Sequence, residues 1–345
     1  MEHLIKLSKF GMYILIVSLL NVNCRQKEDN NEITLLGLFL LTQPQRTCET
    51  MPEKCELSAF KSASASEANT WAGALFAKNQ FVAVSQDGTN RVMTSTDGIT
   101  WTARSASEAG QFLSLAYGND IYVSLSSGGS ANRFMSSSDG INWTSRTGPT
   151  STFDWVTFGS GIFVAVASTG NWATSTDGIN WTSLTTPAAQ SWRSVTYANN
   201  QFVAVSGSGT NRVATSPDGT NWTLRTAAVA NDWRSVTYGK GLYVAVARSG
   251  TNRVMTSPDG INWTARSAAE DNEWYEVHYG NGLFMAASFT GVNRIMTSID
   301  GINWTSRTQA ENNQWKGIAF GNDTFVVVSI DGTNRVQYAT WKFAE

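Results

Sequence analysis

A short block of residues, Ser-x-Asp-Gly-x-(Asn/Thr)-Trp, recurs six times along the chain and constrains its fold more than any other feature. Successive copies lie 38 to 42 residues apart and end at Trp101, Trp143, Trp181, Trp222, Trp263 and Trp304. A period near 40 is typical of proteins built from repeated four-stranded units. Repeated helix pairs are disfavoured, because no 3.6-residue apolar period is sustained and β-branched and aromatic residues dominate.

One repeat, residues 233–266, can be read as four strands separated by turns. Residues 233–238 form a first strand, and residues 242–247, which are nearly all apolar, form a second strand buried on both faces. Residues 253–257 and 261–266 form the third and fourth strands. We expect a tight hairpin turn between these last two, because Asp259-Gly260 is a strong hairpin signal.

The first strand of each repeat begins with an aromatic residue, which allows the repeats to be counted. There are seven such positions: Trp71, Phe112, Trp155, Trp192, Trp233, Trp274 and Trp315. A four-stranded antiparallel sheet repeated around an axis is a propeller blade. The chain is therefore predicted to be all-β and to form a seven-bladed β-propeller of four-stranded antiparallel blades.

The two ends of the repeat array predict how the ring closes. The last repeat lacks the Asp-Gly turn and a fourth strand, whereas Phe60 lies 11 residues before Trp71, just as Trp222 lies 11 before Trp233. Residues 57–63 therefore resemble the fourth strand of a repeat, although the first three strands of a repeat do not precede them. We expect them to complete the seventh blade, which removes two exposed sheet edges at once. The propeller is assigned to residues 57–345.

The recurring block resembles the Asp-box, or BNR, repeat of sialidases and related propellers, although it has one residue fewer between Asp and Gly. Gly tolerates positive φ, Asp can accept backbone N–H bonds across the turn, and Trp supplies a large area for burial between blades. In that family the block is structural and lies away from the ligand site. The resemblance implies a structural role for six aspartates: Asp97, Asp139, Asp177, Asp218, Asp259 and Asp300.

The start of the chain resembles a bacterial lipoprotein signal of the relaxed, spirochaete-like type. Lys6 and Lys9 precede an apolar stretch at residues 11–20, and Cys24 is followed by a polar run at residues 25–32. The resemblance implies removal of residues 1–23, lipid on Cys24 and a tether over residues 24–56. It places the protein in the bacterial cell envelope, anchored at the outer membrane or cell surface. The alternative is an ordinary secretory signal, with Cys24 as a bystander.

Two further cysteines, Cys48 and Cys55, lie in the tether. In an exported protein such a pair is expected to form one disulfide, the alternative being two free thiols.

A repeated Asn-Arg pair opens the third strand in six blades and suggests a ligand-binding face. The positions are Arg91, Arg133, Arg212, Arg253, Arg294 and Arg335, with Trp172 in the third blade. Such a ring could hold an acidic glycan or another anionic surface. The alternative, which the repetition favours, is that each arginine pairs with a neighbouring carboxylate or stacks on an aromatic ring.

The remaining residues give no catalytic or cofactor signature. The Arg cluster and the Tyr–Glu pair of a sialidase cannot be assigned to unique positions, and His278 is interpreted as a packed residue. Glu67, Glu108, Glu270 and Glu311 recur in equivalent connections, which does not by itself make the close carboxylate pair of a glycosidase. No zinc, calcium or phosphate motif occurs. A formal net charge of −2 gives no reason to expect nucleic acid as a partner.

Three functions are compatible with these observations. The leading hypothesis is a non-catalytic binding lipoprotein of the envelope, whose ligand is a glycan or a protein. The alternatives are a sialidase-like glycoside hydrolase or lyase, and a structural subunit of an outer-membrane assembly. The sequence does not indicate an oligomeric state.

Overall fold

Seven antiparallel sheets make up the part of the chain described by the computed structural model, which comprises residues 47–129 and 132–344. Six sheets contain four strands in chain order, which we call strands a to d, and the seventh also takes strands from the start of the described chain. The structure thus confirms the seven predicted blades. The predicted signal segment and Cys24 lie outside the described residues, and no helix within those residues has the length and apolar character needed to span a bilayer.

The strands repeat with nearly constant length. Strands a are β3 (Trp71–Ala77), β7 (Phe112–Gly118), β11 (Thr152–Gly159), β15 (Trp192–Ala198), β19 (Trp233–Gly239), β23 (Trp274–Gly280) and β27 (Trp315–Gly321). Strands b are β4 (Gln80–Ser85), β8 (Ile121–Ser126), β12 (Ile162–Thr169), β16 (Gln201–Ser206), β20 (Leu242–Ala247), β24 (Leu283–Ser288) and β28 (Thr324–Ser329). Strands c are β5 (Val92–Ser95), β9 (Phe134–Ser137), β13 (Trp172–Ser175), β17 (Val213–Ser216), β21 (Val254–Ser257), β25 (Ile295–Ser298) and β29 (Val336–Phe343). Strands d are β6 (Thr102–Arg104), β10 (Thr144–Arg146), β14 (Thr182–Leu184), β18 (Thr223–Arg225), β22 (Thr264–Arg266) and β26 (Thr305–Arg307).

Strands a form the inner wall of the ring. Each contacts strand a of the next blade, and β27 of the seventh blade contacts β3 of the first. The seven strands therefore surround a central channel. A two-residue turn with positive φ at both residues joins each strand a to strand b, for example Lys240 (φ 49°) and Gly241 (φ 77°). Such turns match the right-handed twist of the strands that they connect.

The hydrophobic core lies between adjacent blades rather than in one central mass. Val244 and Val246 of the fifth blade, for example, pack in one cluster with Trp274 and Phe284 of the sixth. Strand b is buried on both faces, as the apolar run in the sequence predicts, and Val203 and Ala204 are completely inaccessible to solvent. Each large side chain fully buried in this way contributes about 1.5–3 kcal/mol.

The leading aromatic residue of the third blade is Phe153, and the prediction of Trp155 for this place was wrong. Phe153 pairs with Ala167, as Trp192 pairs with Ser206 in the next blade, whereas Trp155 occupies the position held there by Ser194. A β-bulge follows the leading aromatic in all seven blades. The error arose because only the third blade carries a second aromatic, Trp155, two positions after the first, where the other blades have Gly, Ser or Glu.

The seventh blade is completed by two short strands from the start of the described chain. The strand β2 (Lys61–Ala63) pairs antiparallel with the first half of β29, with Ala63 opposite Val336. The strand β1 (Cys55–Leu57) pairs with its second half. The ring is thus closed as predicted, with pairing that starts at Cys55 and is interrupted between Leu57 and Lys61.

A disulfide between Cys48 and Cys55 closes a loop that contains the 3-10 helix Pro52–Lys54. Cys48 is buried in a cluster with residues of the sixth and seventh blades. Glu49 fixes the loop there, because its N–H donates to Asn281 Oδ1 at 2.9 Å and its carboxylate accepts a 2.6 Å bond from the Tyr279 hydroxyl. Residues 47–57 therefore pack against the blades.

Candidate functional site

The Asp-Gly blocks form self-contained turns. In the first blade, Asp97 Oδ1 accepts the N–H groups of Ile99 and Thr100 at 2.8 Å, and Ser95 Oγ accepts the N–H of Gly98 at 2.8 Å. The same aspartate contacts recur in the other five blocks: Asp139, Asp177, Asp218, Asp259 and Asp300. Burial opposes ionisation of Asp97, but these backbone hydrogen bonds keep its pKa below the usual value.

The connection between strands c and d is longer than the predicted tight hairpin. Strand c of the fifth blade ends at Ser257, and strand d begins only at Thr264. The intervening tryptophan, Trp263, packs in a cluster shared by the fourth and fifth blades, and its Nε1 donates to Gly260 O at 3.0 Å. The block therefore serves as a wedge between blades.

The repeated arginines hold neighbouring blades together through backbone carbonyl groups. Arg212 donates from Nε to Gly209 O at 3.0 Å and from Nη1 to Gly207 O at 3.1 Å and Asn231 O at 2.6 Å. Arg91, Arg253, Arg294 and Arg335 likewise bridge their own b–c loop and the next d–a loop. The acceptors are carbonyl oxygens, not the carboxylates or aromatic rings that the structural alternative expected.

The two remaining members of the predicted arginine face are Arg133 and Trp172. Arg133 occupies the equivalent place in the second blade and is partly buried. Trp172 is completely buried and packs edge-on against Trp192 and Trp222, with ring centroids 5.2 and 4.7 Å apart. Its ring presents no face to a ligand, because the third blade uses it to fill the interface with the fourth.

The four glutamates of the d–a connections are engaged separately. Each carboxylate accepts from the side-chain amide of the asparagine in its own b–c loop, in the pairs Glu67–Asn90, Glu108–Asn132, Glu270–Asn293 and Glu311–Asn334. The four pairs belong to four different blades, the first, second, sixth and seventh.

One position of the inner wall breaks the repeat and was missed by the sequence analysis. It is the residue that follows the buried leading aromatic of strand a, where the strand bulges. Going round the ring, it holds Ala72, Leu113, Asp154, Arg193, Arg234, Tyr275 and Lys316. Five successive blades thus present polar side chains to the channel, near the end formed by the d–a and b–c loops. We call these five residues, with Asp232, Arg248, Glu273 and Phe289, the channel cluster.

Three ion pairs organise the channel cluster. Arg193 Nη1 lies 2.9 Å from Asp154 Oδ1 of the preceding blade, and Arg234 Nη2 lies 2.7 Å from Asp232 Oδ2. Arg248 Nε lies 3.0 Å from Glu273 Oε2 of the next blade. Arg193 Nε and Arg234 Nε are buried donors that meet no acceptor within the described residues.

An aromatic pair supports the two arginines of the fifth blade. Tyr275 stacks on Phe289 with ring centroids 3.5 Å apart and planes inclined by 10°. The guanidinium groups of Arg234 and Arg248 lie 5.2 and 6.0 Å from the Tyr275 ring centroid. These cation–π contacts fix the direction of both side chains.

Lys316 is the cation of the cluster without a close partner. Its amine forms neither a hydrogen bond nor an ion pair with any described residue, although it is enclosed by the channel wall. Burial lowers the pKa of Lys316 to about 8; Asp154 and Glu276 oppose the shift, while Arg234 and Arg193 add to it.

Two further ionisable groups lie on strand a of the sixth blade. Glu276 is 4% exposed and replaces the serine of other blades, and its Oε1 accepts the Ile318 N–H at 3.1 Å. Burial raises the pKa of Glu276 well above its usual range. Burial lowers the pKa of His278 to about 4, which favours the neutral imidazole. Among the described residues, no group of three or more His, Cys, Asp or Glu side chains could hold a metal ion.

Comparison with known proteins shows the fold alone. No family model and no curated protein matches the chain. A solved streptogramin B lyase has 13% sequence identity and a TM-score of 0.72, over 83% of this chain and 98% of that one. A catalytically inactive virginiamycin B lyase from Staphylococcus aureus with quinupristin has 15% identity and a TM-score of 0.72, over 83% and 99%. YCF48 from Cyanidioschyzon merolae has 17% identity and a TM-score of 0.62, over 82% and 98%.

Proposed function

We propose that this protein is a non-catalytic binding module of the bacterial cell envelope, anchored through lipid on Cys24, and that it captures an anionic ligand at the channel cluster. The observation that carries the proposal is the break in the repeat at the residue that follows the leading aromatic of strand a. The fold does not require a large side chain at this position, since the first blade has Ala72 there. Three other blades nevertheless place Arg193, Arg234 and Lys316 around the channel. A purely structural repeat has no need of such cations.

Electrostatics favours an anion over a neutral ligand. The cluster contains four cationic side chains, of which three are paired with Asp154, Asp232 and Glu273. The positive charge of Lys316 remains for a ligand, because its amine forms no ion pair with a described residue. Charge-assisted bonds from planar guanidinium groups suit carboxylate or phosphate oxygens.

Titration of the purified protein with small carboxylates, inorganic phosphate and acidic oligosaccharides tests the binding proposal. Binding that weakens at high salt and is lost in Lys316→Gln and Arg234→Gln supports it. A matched control is Arg307→Gln, because Arg307 is exposed and lies on the outermost strand of the sixth blade. Equal affinity in all four proteins would remove the channel cluster from the proposal.

Labelling with a radioactive fatty acid in a lipoprotein-producing bacterium tests the anchor separately. The full chain should incorporate the label and sediment with membranes, and Cys24→Ala should do neither. Secretion of an unlabelled wild-type protein would favour the alternative of an ordinary secretory signal.

A lyase is the second candidate, and the channel residues of the sixth blade favour it. His278 and Glu276 share strand a of the sixth blade, where Glu276 is near enough to Lys316 to affect its pKa, and two of the solved structures with a similar fold are lyases. A neutral imidazole can act as a base. Turnover of a streptogramin B antibiotic that disappears in His278→Ala would establish this function in place of pure binding.

A further inference from the structure

Two clefts of similar size open on the outer side of the ring, far from the channel. One, with a volume of about 440 Å³, lies between strand d of the first blade and the Asp-Gly block of the second. The other, of about 460 Å³, lies between the corresponding elements of the fifth and sixth blades. Volumes in this range accommodate one or two sugar rings.

The same residue types line both clefts. Strand d supplies the sequence Ala-Arg-Ser-Ala, with Arg104 in the first cleft and Arg266 in the second. The facing block supplies Ile-Asn-Trp, which ends at Trp143 or Trp304. The first and fifth blades therefore present the same arrangement to the next blade. The repeat places an arginine and an Ile-Asn-Trp triplet at the equivalent positions of two further junctions, at Arg146 with residues 179–181 and at Arg225 with residues 261–263.

Hydrogen bonds within each cleft fix the arginine but leave its outer end available. Arg104 Nε donates to Thr94 Oγ1 at 3.1 Å, and Arg266 Nε donates to Thr256 Oγ1 at 3.1 Å. The terminal amino groups of both arginines make no hydrogen bond with the described part of the chain. Each guanidinium thus presents a fork of donors in a fixed direction.

The facing block is held just as firmly. Trp143 Nε1 donates to Gly140 O at 3.1 Å, which orients the indole, and the Asn142 amide donates to Asp139 Oδ2 at 2.8 Å. The side-chain carbonyl oxygen of Asn142 is left as an acceptor within the described structure. Asn303 and Trp304 repeat these contacts in the second cleft.

We propose that these two clefts bind acidic sugar residues of a glycan, with the carboxylate on Arg104 or Arg266. A guanidinium fork recognises a carboxylate through two parallel hydrogen bonds. The partly exposed indole provides an apolar surface for a sugar ring, and the asparagine carbonyl accepts from a hydroxyl. The site is distinct from the channel cluster and does not depend on it.

The position of the clefts suits a polymer. They lie on strands d, the outermost strands, so that a long chain can reach them without entering the channel. Two equivalent weak sites increase the avidity for a ligand that carries many uronate units, relative to one that carries few.

Binding of uronate oligosaccharides by the full chain tests the proposal. The probes are an alginate oligomer and, as a neutral control, dextran of the same length, measured by titration calorimetry. The wild-type protein should bind the alginate oligomer and not dextran. Arg104→Gln together with Arg266→Gln should weaken binding about tenfold or more, the effect of losing one charge-assisted bond.

Arg307→Gln is the matched control. Arg307 Nε donates to Thr297 Oγ1 at 2.9 Å, the contact that Arg104 makes in its own blade, but the next blade lacks an Ile-Asn-Trp block. This variant should bind like the wild type, and near-equal melting temperatures exclude unfolding as the cause of any loss. Failure of the wild type to bind alginate, equal binding of dextran, or equal losses in Arg307→Gln and the double variant would overturn the proposal. A loss of alginate binding in Lys316→Gln but not in the double variant would also overturn it, because that result would assign the ligand to the channel cluster.

Discussion

Arg335 of the seventh blade donates a 2.7 Å hydrogen bond from Nη1 to the backbone carbonyl oxygen of Asn69, which precedes the first blade's strand a. The two residues lie 266 positions apart in the chain. Equivalent arginines make the same contact between blades that are consecutive in sequence, for example Arg212 with Asn231. In the seventh blade, strand c (β29) and the closing strand β2 come from opposite ends of the described chain, so no c–d connection joins them as in the other blades. The pairing of β2 with β29 and the contact between Arg335 and Asn69 hold this junction, the seam, together.

Replacement of Arg335 by Gln should therefore destabilise the folded protein. Hydrogen bonds from a charged group to partly buried acceptors are worth about 1–2 kcal/mol, and Arg335 also donates to Gly332 and Ile330. We expect the free energy of unfolding in urea to fall by about that amount. Arg307→Gln, on the exposed rim, should leave it within about 0.5 kcal/mol. Identical unfolding midpoints for the two variants would contradict a role of Arg335 at the seam.

The disulfide should stabilise one of the two closing strands more than the other. Cys55 is the first residue of β1, whereas β2 pairs with β29 through its own hydrogen bonds. Cys48→Ser with Cys55→Ser should therefore speed amide hydrogen exchange at residues 55–57 and leave residues 61–63 protected. A crosslink over so short a loop is worth about 2 kcal/mol.

Hydrogen exchange read out by mass spectrometry distinguishes the two strands. The reduced wild-type protein provides the control, since it keeps both cysteine side chains. Uniform deprotection of residues 55–63 would show that the two strands open together and that the disulfide holds the whole seam.

Acid should destabilise the protein through the Asp-Gly turns. Although burial raises it, hydrogen bonds from the backbone and side chain of Asn303 lower the pKa of Asp300 from 3.8 to about 2. A lowered pKa in the folded state means that the stabilisation is present above pH 4 and is lost as the pH falls toward 2. Asp300→Asn should lose less stability than the wild type between pH 4 and pH 2.

Thermal unfolding across this pH range, followed by circular dichroism, measures the difference. Asp331→Asn is a suitable control, because Asp331 is an aspartate of a b–c loop outside the Asp-Gly blocks. Parallel pH profiles for Asp300→Asn and the wild type would show that the turn carboxylate does not contribute to acid sensitivity.

The fold could be predicted from the sequence because the residues that specify a blade recur at a nearly constant interval. The repeated tryptophan, the apolar strand b and the position of Phe60 before Trp71 together predict seven blades and a closed ring. The error at Trp155 arose because the third blade carries two aromatic residues, Phe153 and Trp155, and the sequence does not show which of them is buried at the start of strand a.

The channel cluster could not be predicted from local patterns. Its five strand-a residues are about 40 residues apart in the chain and come together only because the ring closes. One signal was available: aligned across seven blades, the residue after the conserved leading aromatic varies from Ala72 to Lys316. The partners of Arg212 and its equivalents were hidden for another reason, since a backbone carbonyl acceptor has no sequence signature.

Replacement of Glu276 by Ser should stabilise the protein. In the preceding blade, Ser235 Oγ accepts the N–H of Val277 at 3.2 Å, the bond that Glu276 makes to Ile318. Serine can thus satisfy the same donor without placing a carboxyl group in a buried site. Because burial raises the pKa of Glu276 in the folded state, ionisation opposes folding increasingly as the pH rises above about 4.5.

The gain in Glu276→Ser should accordingly grow with pH and reach roughly 1–2 kcal/mol in the free energy of unfolding at neutral pH. Urea titrations at pH 4.5 and pH 7.5 measure it, and Ser235→Ala is the control for loss of the bond itself. A serine variant that is less stable than the wild type at both pH values would show that the Glu276 side chain packs favourably enough to outweigh its charge.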